Sequence, residues 1–392
     1  MFHSKRTLLV IKLAATLIVS IIFILPVGAQ TETVLYSFNG IARQAYFPSG
    51  GLTFDSKRVL YGTTSAGGAY GCGSVYEFAP TGTLTVLHSF SPKGGDGNQP
   101  TGGIVLDASG RMYGTTFYGG AYGYGTVFRM TPNSTGTIKI LHSFGDHEGD
   151  GNHPYAGVVL DQSGNIYGTT VFGGEFNRGT VFKVTPSGEE TVLYSFGSQA
   201  EDGERPYGAL IFGNDGTLYG TTQFGGTYGA GTIFEVTPAG NHSVLHSFNG
   251  TDGGDLFTSL TRRDDSLYGT SATGGEFGHG VVFKLSPTGE LVVIHSFARF
   301  SEDGYEPSSA VIFDEDGNLY GTTHYGGAAD GSGTVFKISS DGTKSVIHDF
   351  GGLGDGFGPL GRLVLDDSGA LYGITELGGN RNNGGTIYKL TP

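Results

Sequence analysis

Apolar and polar residues alternate along this chain in short runs, and the runs fall into groups of four. In the stretch 156–196 the runs are 156–161, 165–170, 179–184 and 191–196, each six residues long. Turn signals separate them: Asp-Gln-Ser-Gly at 161–164, a Gly-rich loop at 172–178, and Thr-Pro-Ser-Gly at 185–188. Glycine supplies the positive φ that such turns need. Four short strands joined this way predict an antiparallel meander. No stretch beyond the N-terminal segment carries helical periodicity.

The group of four repeats. Its anchor, Tyr-Gly-Thr-Thr or a near variant, begins at Tyr61, Tyr113, Tyr167, Tyr219, Tyr268, Tyr320 and Tyr372. A period of about fifty residues marks stacked or circularly arranged units. Seven four-stranded units predict an all-β, seven-bladed β-propeller over residues 30–392. The alternative, an open β-solenoid, fits the ends poorly. The repeats begin with a lone fourth strand at 34–38 and finish with the first three strands of a seventh unit. These fragments complete one blade only if the ring closes, with the N-terminal strand finishing the last blade; a solenoid leaves both edges open. Small residues open the first strands: Gly51, Gly103, Gly157, Ala209 and Ala310. That suits strands that converge on an axis. Arg362 breaks the series and is expected to project into the channel.

Composition refines this picture. Of 392 residues 72 are Gly, in phase with the repeat, and Trp is absent. Residues 1–29 read as a signal peptide: Lys5 and Arg6, an apolar run at 13–25, then small residues at 27–29. Lys12 keeps the run short of a membrane span. Removing Lys5, Arg6 and Lys12 leaves 19 basic against 36 acidic residues, a net charge of −17. Such a balance argues against a nucleic-acid partner. The expected location is secreted, extracellular or in the cell envelope, the periplasm included. The chain is expected to be a monomer with no membrane span after cleavage. Cys72 is the single cysteine, so no internal disulfide forms. Its counterparts Tyr124, Arg178, Ala230, His279, Ser332 and Gly384 vary freely, which predicts an exposed position.

The composite pattern runs D-G-x-x-P, then L-x-x-D-x-x-G-x-L-Y-G-T-T-x-x-G-G-x-x-G-x-G-T-V-F-x-x-T-P, then V-L-H-S-F. It resembles the GloVer tandem repeat of exported Gloeobacter- and Verrucomicrobia-type bacterial proteins, over residues 33–392. The resemblance implies export and repeat architecture, and it carries over no catalytic residue.

Candidate chemistry is sparse. His88, His142, His246, His295 and His348 recur in the fourth strand, with Tyr36 and Tyr194 in the other two units. Five different blades cannot bring these histidines to one zinc ion, so a structural role is expected, with Tyr or Thr hydroxyls as partners. Neither a metal site nor a cofactor nor a catalytic residue is predicted. Asp96, Asp150, Asp202, Asp252, Asp303 and Asp355 each precede Gly in the connection between units. With Phe172, Phe224 and Tyr325 from the Gly-Gly loops, and with Arg362, they are the candidate ligand-binding positions on one rim. Aspartate before Gly also serves as a turn cap. The functional expectation is an extracellular or cell-surface binding or structural module, its partner a carbohydrate or another surface component. The alternative is a secreted propeller hydrolase or lyase acting on polysaccharide.

Overall fold

A computed structural model describes residues 31–392 except 42, 132–136, 300–301, 329–330, 353, 381 and 392. The signal-peptide segment lies outside the described residues. Seven antiparallel blades form a ring, and no helix occurs among the described residues. The first blade runs Tyr46–Phe54, Leu60–Ala66, Ser74–Phe78, Leu84–Ser89 from axis to rim. In the last blade Gly356–Leu365, Leu371–Gly378 and Thr386–Thr391 are followed by Thr31–Ser37, the N-terminal strand. Closure pairs Thr31 with Thr391 and Ser37 with Thr386.

The repeated Tyr-Gly-Thr-Thr anchor has a reason at each position. In five of the seven units the Tyr hydroxyl reaches the Asp that opens the turn before its own strand, as in Tyr167 to Asp161 at 3.1 Å and Tyr320 to Asp314 at 2.9 Å. The Gly makes room for an aromatic ring of the third strand. A Cβ on Gly168 would lie 2.6 Å from the Phe182 ring, and one on Gly373 would meet Tyr388 at 2.3 Å. The first Thr ties one blade to the next. Thr115 donates to the Ala156 carbonyl at 2.7 Å, Thr221 to Thr258 at 2.9 Å and Thr270 to Ser309 at 3.0 Å. The second Thr meets a third-strand hydroxyl inside its own blade, as in Thr170 with Thr180 at 2.8 Å. Phe38, Phe90, Phe144, Phe196, Phe248, Phe297 and Phe350, just after the fourth strands, are fully buried between blades.

Gly168→Ala should therefore cost about 1–3 kcal/mol, because the added methyl overpacks a filled interior. Urea denaturation measures this; an unchanged midpoint would mean that Phe182 has room to move.

The axis is narrow because the first strands meet backbone to backbone. A Cβ on Gly50 would sit 2.3 Å from Gly102, and one on Gly102 would sit 2.4 Å from Gly157. In blades two to four the first strand pairs over only two residues, as in Val159–Leu160, before it splays toward its neighbour. A second two-residue ladder then forms at the rim, as Gly151–Asn152 against Phe172–Gly173.

Candidate functional site at the mouth of the channel

One face of the ring carries the fourth-to-first connections and the longer second-to-third loops. One residue where each connection enters its blade adopts a left-handed conformation. Phe47, Gln99, His153, Arg205, Asp255 and Glu306 have φ between 54° and 58°, and Gly358 takes the place in the last blade at 65°. In all but Asp255 the next residue is Pro, which normally pushes its predecessor toward extended backbone. Each such strain costs on the order of 1–3 kcal/mol. Backbone bonds hold it. The N–H of His153 donates to the Tyr124 carbonyl of the previous blade at 2.7 Å, and its own carbonyl accepts from Val171 at 3.1 Å. The same pair of bonds recurs at Gln99 and Arg205.

This fixed backbone presents six side chains at the mouth, with Gly358 in the seventh place, and their chemistry breaks the repeat symmetry. His153 contacts the rings of Phe117, Tyr118, Tyr124 and Phe172, with centroids 4.9–5.8 Å away, and burial pushes its pKa down. Arg205 lies 5.4 Å from both Phe172 and Phe224, a guanidinium between two rings. One step further in, Tyr155, Tyr207 and Phe257 form an arc across three successive blades, with centroids 5.1 and 5.6 Å apart. Tyr155 and Phe257 are each 40% exposed. The other blades place Ser49, Thr101, Ser308 and Leu360 there.

Behind the arc the channel encloses about 870 Å³. Arg362 lines it at the level of the small residues. Its side chain keeps access to the channel's solvent although protein rings it, and that desolvation lowers its pKa. It has no carboxylate or carbonyl partner among the described residues. Glu306 and His324 also line the cavity, and burial lowers the His324 pKa against the opposing influence of Glu376 and Glu306.

The six aspartates do not form an open ring. Each turns its carboxylate into the seam beside the preceding fourth strand. Asp96 meets His88 at 3.1 Å, Asp150 meets His142 at 3.3 Å, Asp252 meets His246 at 2.9 Å, Asp303 meets His295 at 2.9 Å and Asp355 meets His348 at 3.2 Å. Asp202 instead accepts from the Tyr194 hydroxyl at 2.7 Å. Most also accept a backbone N–H at their own turn, as the carboxylate of Asp202 does from Gly197 and Gly203. The histidines pair with these carboxylates rather than with the expected blade hydroxyls. Tyr194→Phe should cost about 1–2 kcal/mol, since it strips a buried carboxylate of a donor. Thermal denaturation tests it, and an unchanged melting temperature would mean that Ser198 or water replaces the bond.

Phe172 and Phe224 are half-buried around Arg205, whereas Tyr325 is 41% exposed and stacks on Tyr305 at 5.6 Å. The expectation that Cys72 is exposed fails: it is 8% exposed and packs in a cluster with Tyr61, Val75 and Phe90, and burial raises its thiol pKa. What the repeat needs from this position is its carbonyl, which accepts from Gln99 at 2.8 Å. The side chain can therefore vary whether buried or exposed. The arc of Tyr155, Tyr207 and Phe257 is absent from the sequence expectations. Its signal was a symmetry break at one position of the repeat, three aromatics against Ser, Thr and Leu.

The Gloeobacter/Verrucomicrobia repeat model matches residues 20–158, 134–312 and 208–392. The chain belongs to this family. No curated protein sequence matches it. Among solved structures it is similar to the extracellular domain of a hybrid two-component system from B. thetaiotaomicron, at 14% identity and a TM-score of 0.59. That match covers 93% of this chain and 41% of the other. The extracellular domain of a one-component system from the same organism gives 10% identity and a TM-score of 0.58, over 92% and 40%. A candidate 6-phosphogluconolactonase from Bacteroides uniformis gives 15% identity and a TM-score of 0.52, over 80% and 88%. At such identities the likeness concerns the fold alone.

Proposed function

We propose that this family member is an exported propeller that binds carbohydrate at the mouth of its channel. The observation that carries the reading is the arc of Tyr155, Tyr207 and Phe257, partly exposed over a cavity lined by Arg362. Sugar rings present apolar faces that stack on aromatic side chains, and their hydroxyls or acidic groups take hydrogen bonds from a guanidinium. The arc lies on the face with the variable loops, where a rigid scaffold ordinarily builds recognition. The similarity in fold to extracellular domains supports export, as does the family match.

The test is a glycan array followed by calorimetry on the best ligand. Replacing Tyr155, Tyr207 and Phe257 together with Ala should weaken binding by at least about tenfold, from the loss of two or more ring contacts at about 0.5–1.5 kcal/mol each. A ligand retained by the triple variant at full affinity sinks the proposal. A second reading, a polysaccharide hydrolase or lyase, is favoured by Glu306, His324 and Glu376 near the same mouth. Release of new reducing or unsaturated ends from a bound glycan, lost in Glu306→Gln or Glu376→Gln, would select it.

A further inference from the structure

The seam between successive blades repeats six times with one variable member. To the aspartate and its His or Tyr partner, the next blade adds a residue at the start of its fourth strand, the one paired with the end of the third strand's core run, as Glu190 with Val184 and Glu32 with Leu390. These residues are Ile138, Glu190, His242, Leu291, Lys344 and Glu32 in ring order. Apolar Ile138 and Leu291 close their seams. His242 stacks on Tyr194 at 4.0 Å. Lys344 places its ammonium against the carboxylate of Asp303, so that blade carries its own cation. The two glutamates do the opposite and bring a second carboxylate to a seam that already holds one.

At the second seam this produces a concentrated donor set. His142, Asp150 and Glu190 offer ligand atoms within 4.8 Å of one another. The side chains of His142 and Asp150 are 5% and 1% exposed. The Oδ1 atom of Asp150 and the Oε1 atom of Glu190 are buried without a hydrogen-bond partner among the described residues. Elsewhere, at Asp96, Asp202 and Asp355, the equivalent oxygen accepts from the following Gly N–H at 2.7–2.9 Å. Asp146 and His147 flank the seam from the solvent side and form a second such group with Asp150. The last seam repeats the arrangement with Glu32, His348 and Asp355, and the Oε1 of Glu32 is likewise buried and unpartnered.

We propose that the seam of His142, Asp150 and Glu190 binds a divalent transition metal, with zinc the best fit, and that Glu32, His348 and Asp355 form a second site of the same kind. Buried carboxylate oxygens without a hydrogen-bond partner, two in the first site and the Glu32 Oε1 in the second, call for a positive charge beside the paired carboxylates, such as Lys344 supplies in its own seam. One imidazole and two carboxylates suit zinc, whose three ligands would stand about 3.3 Å apart in a tetrahedron, a small adjustment of these side chains. Calcium fits less well, since it wants six or more oxygens. The histidines of different blades still do not converge; each site uses one. In the second site the metal would join the N-terminal strand to the neighbouring blade and so fasten the ring closure.

The experiment is zinc loading of the intact protein, dialysis against metal-free buffer, and elemental analysis beside thermal denaturation. The wild type should hold about two zinc ions per chain, and Glu190→Gln and Glu32→Gln about one each, as the ligand sets of three require. The double variant should hold none and gain no thermal stability from zinc. Glu190→Lys, patterned on the seam of Lys344, should lose one zinc while melting no lower than the metal-free wild type, which guards against a variant that merely misfolds. A wild type without stoichiometric zinc, or zinc that persists in the double variant, overturns the proposal.

Discussion

Deleting residues 31–39 is expected to abolish the cooperative melting of the whole protein. The strand Thr31–Ser37 pairs along its length with Thr386–Thr391 and so completes the last blade. It also carries Leu35 and Tyr36 into a cluster with Phe38, Phe78 and Ile387. Removing it leaves Thr386–Thr391 as an open edge and uncovers one side of that cluster. Every blade is clamped between two neighbours, so loss at one seam is felt around the ring. An open array would behave differently, since its stability is a sum of unit and neighbour terms and trimming one end costs only that end. Differential scanning calorimetry decides between them. The truncated chain should show a melting temperature lower by more than about 10 °C or no transition, as expected when several kcal/mol is lost from a marginal fold. Adding the missing strand as a peptide should restore part of the transition by strand addition. A truncated form that melts with the full-length protein would mean that the blades stand independently.

How much of this was legible beforehand follows from what repetition encodes. The blade count, the strand order and the split last blade were readable because seven copies vote on each position. The Gly of the anchor was visible as a pattern but not as a cause, since its clash partner, a third-strand ring such as Phe182, lies in another run of the same unit. The His–Asp seams were half legible. Both residue types stood out, but the pairing needed the connection to fold back on its own strand, as Asp150 does on His142. The metal proposal was hidden more deeply, because Glu190 and Glu32 belong to a neighbouring blade and sit at a position whose residue type changes from blade to blade. The channel mouth was hidden for the opposite reason. A search for what recurs overlooks Tyr155, Tyr207 and Phe257, whose significance is that they depart from the repeat. Arg362 was caught for the same departure, because it was the one large residue in a series of small ones.

Arg362→Ala is expected to stabilise the protein and to weaken the ligand binding proposed for the channel. The two effects have one origin. The guanidinium lines a confined channel, its desolvation disfavours the charged form, and no described residue offers it a counter-charge or an acceptor. An unpaired charge ringed by protein is a cost to the folded state, and the channel water that reaches Arg362 screens part of it. The other blades avoid that cost with Gly51, Gly103, Gly157, Ala209, Ser259 and Ala310. The alanine variant restores that pattern, and its methyl group faces the open channel rather than a filled core. Because channel water screens the charge, the relief is at most about one kcal/mol, and a melting temperature raised by no more than roughly 1–2 °C is the expected size in a domain this large. A residue retained at a cost to stability is the usual mark of a site kept for function. The same substitution removes the strongest hydrogen-bond donor in the channel, so affinity for a bound saccharide should drop by about tenfold or more, as for loss of a charge-assisted bond worth about 1.5–3 kcal/mol. Arg362→Lys separates the roles: it keeps the charge and its cost but loses the planar two-pronged donor, so it should bind weakly without the gain in stability. If Arg362→Ala melts lower than the wild type, the guanidinium is a structural strut of the channel, and the assignment of Arg362 to ligand binding falls with it.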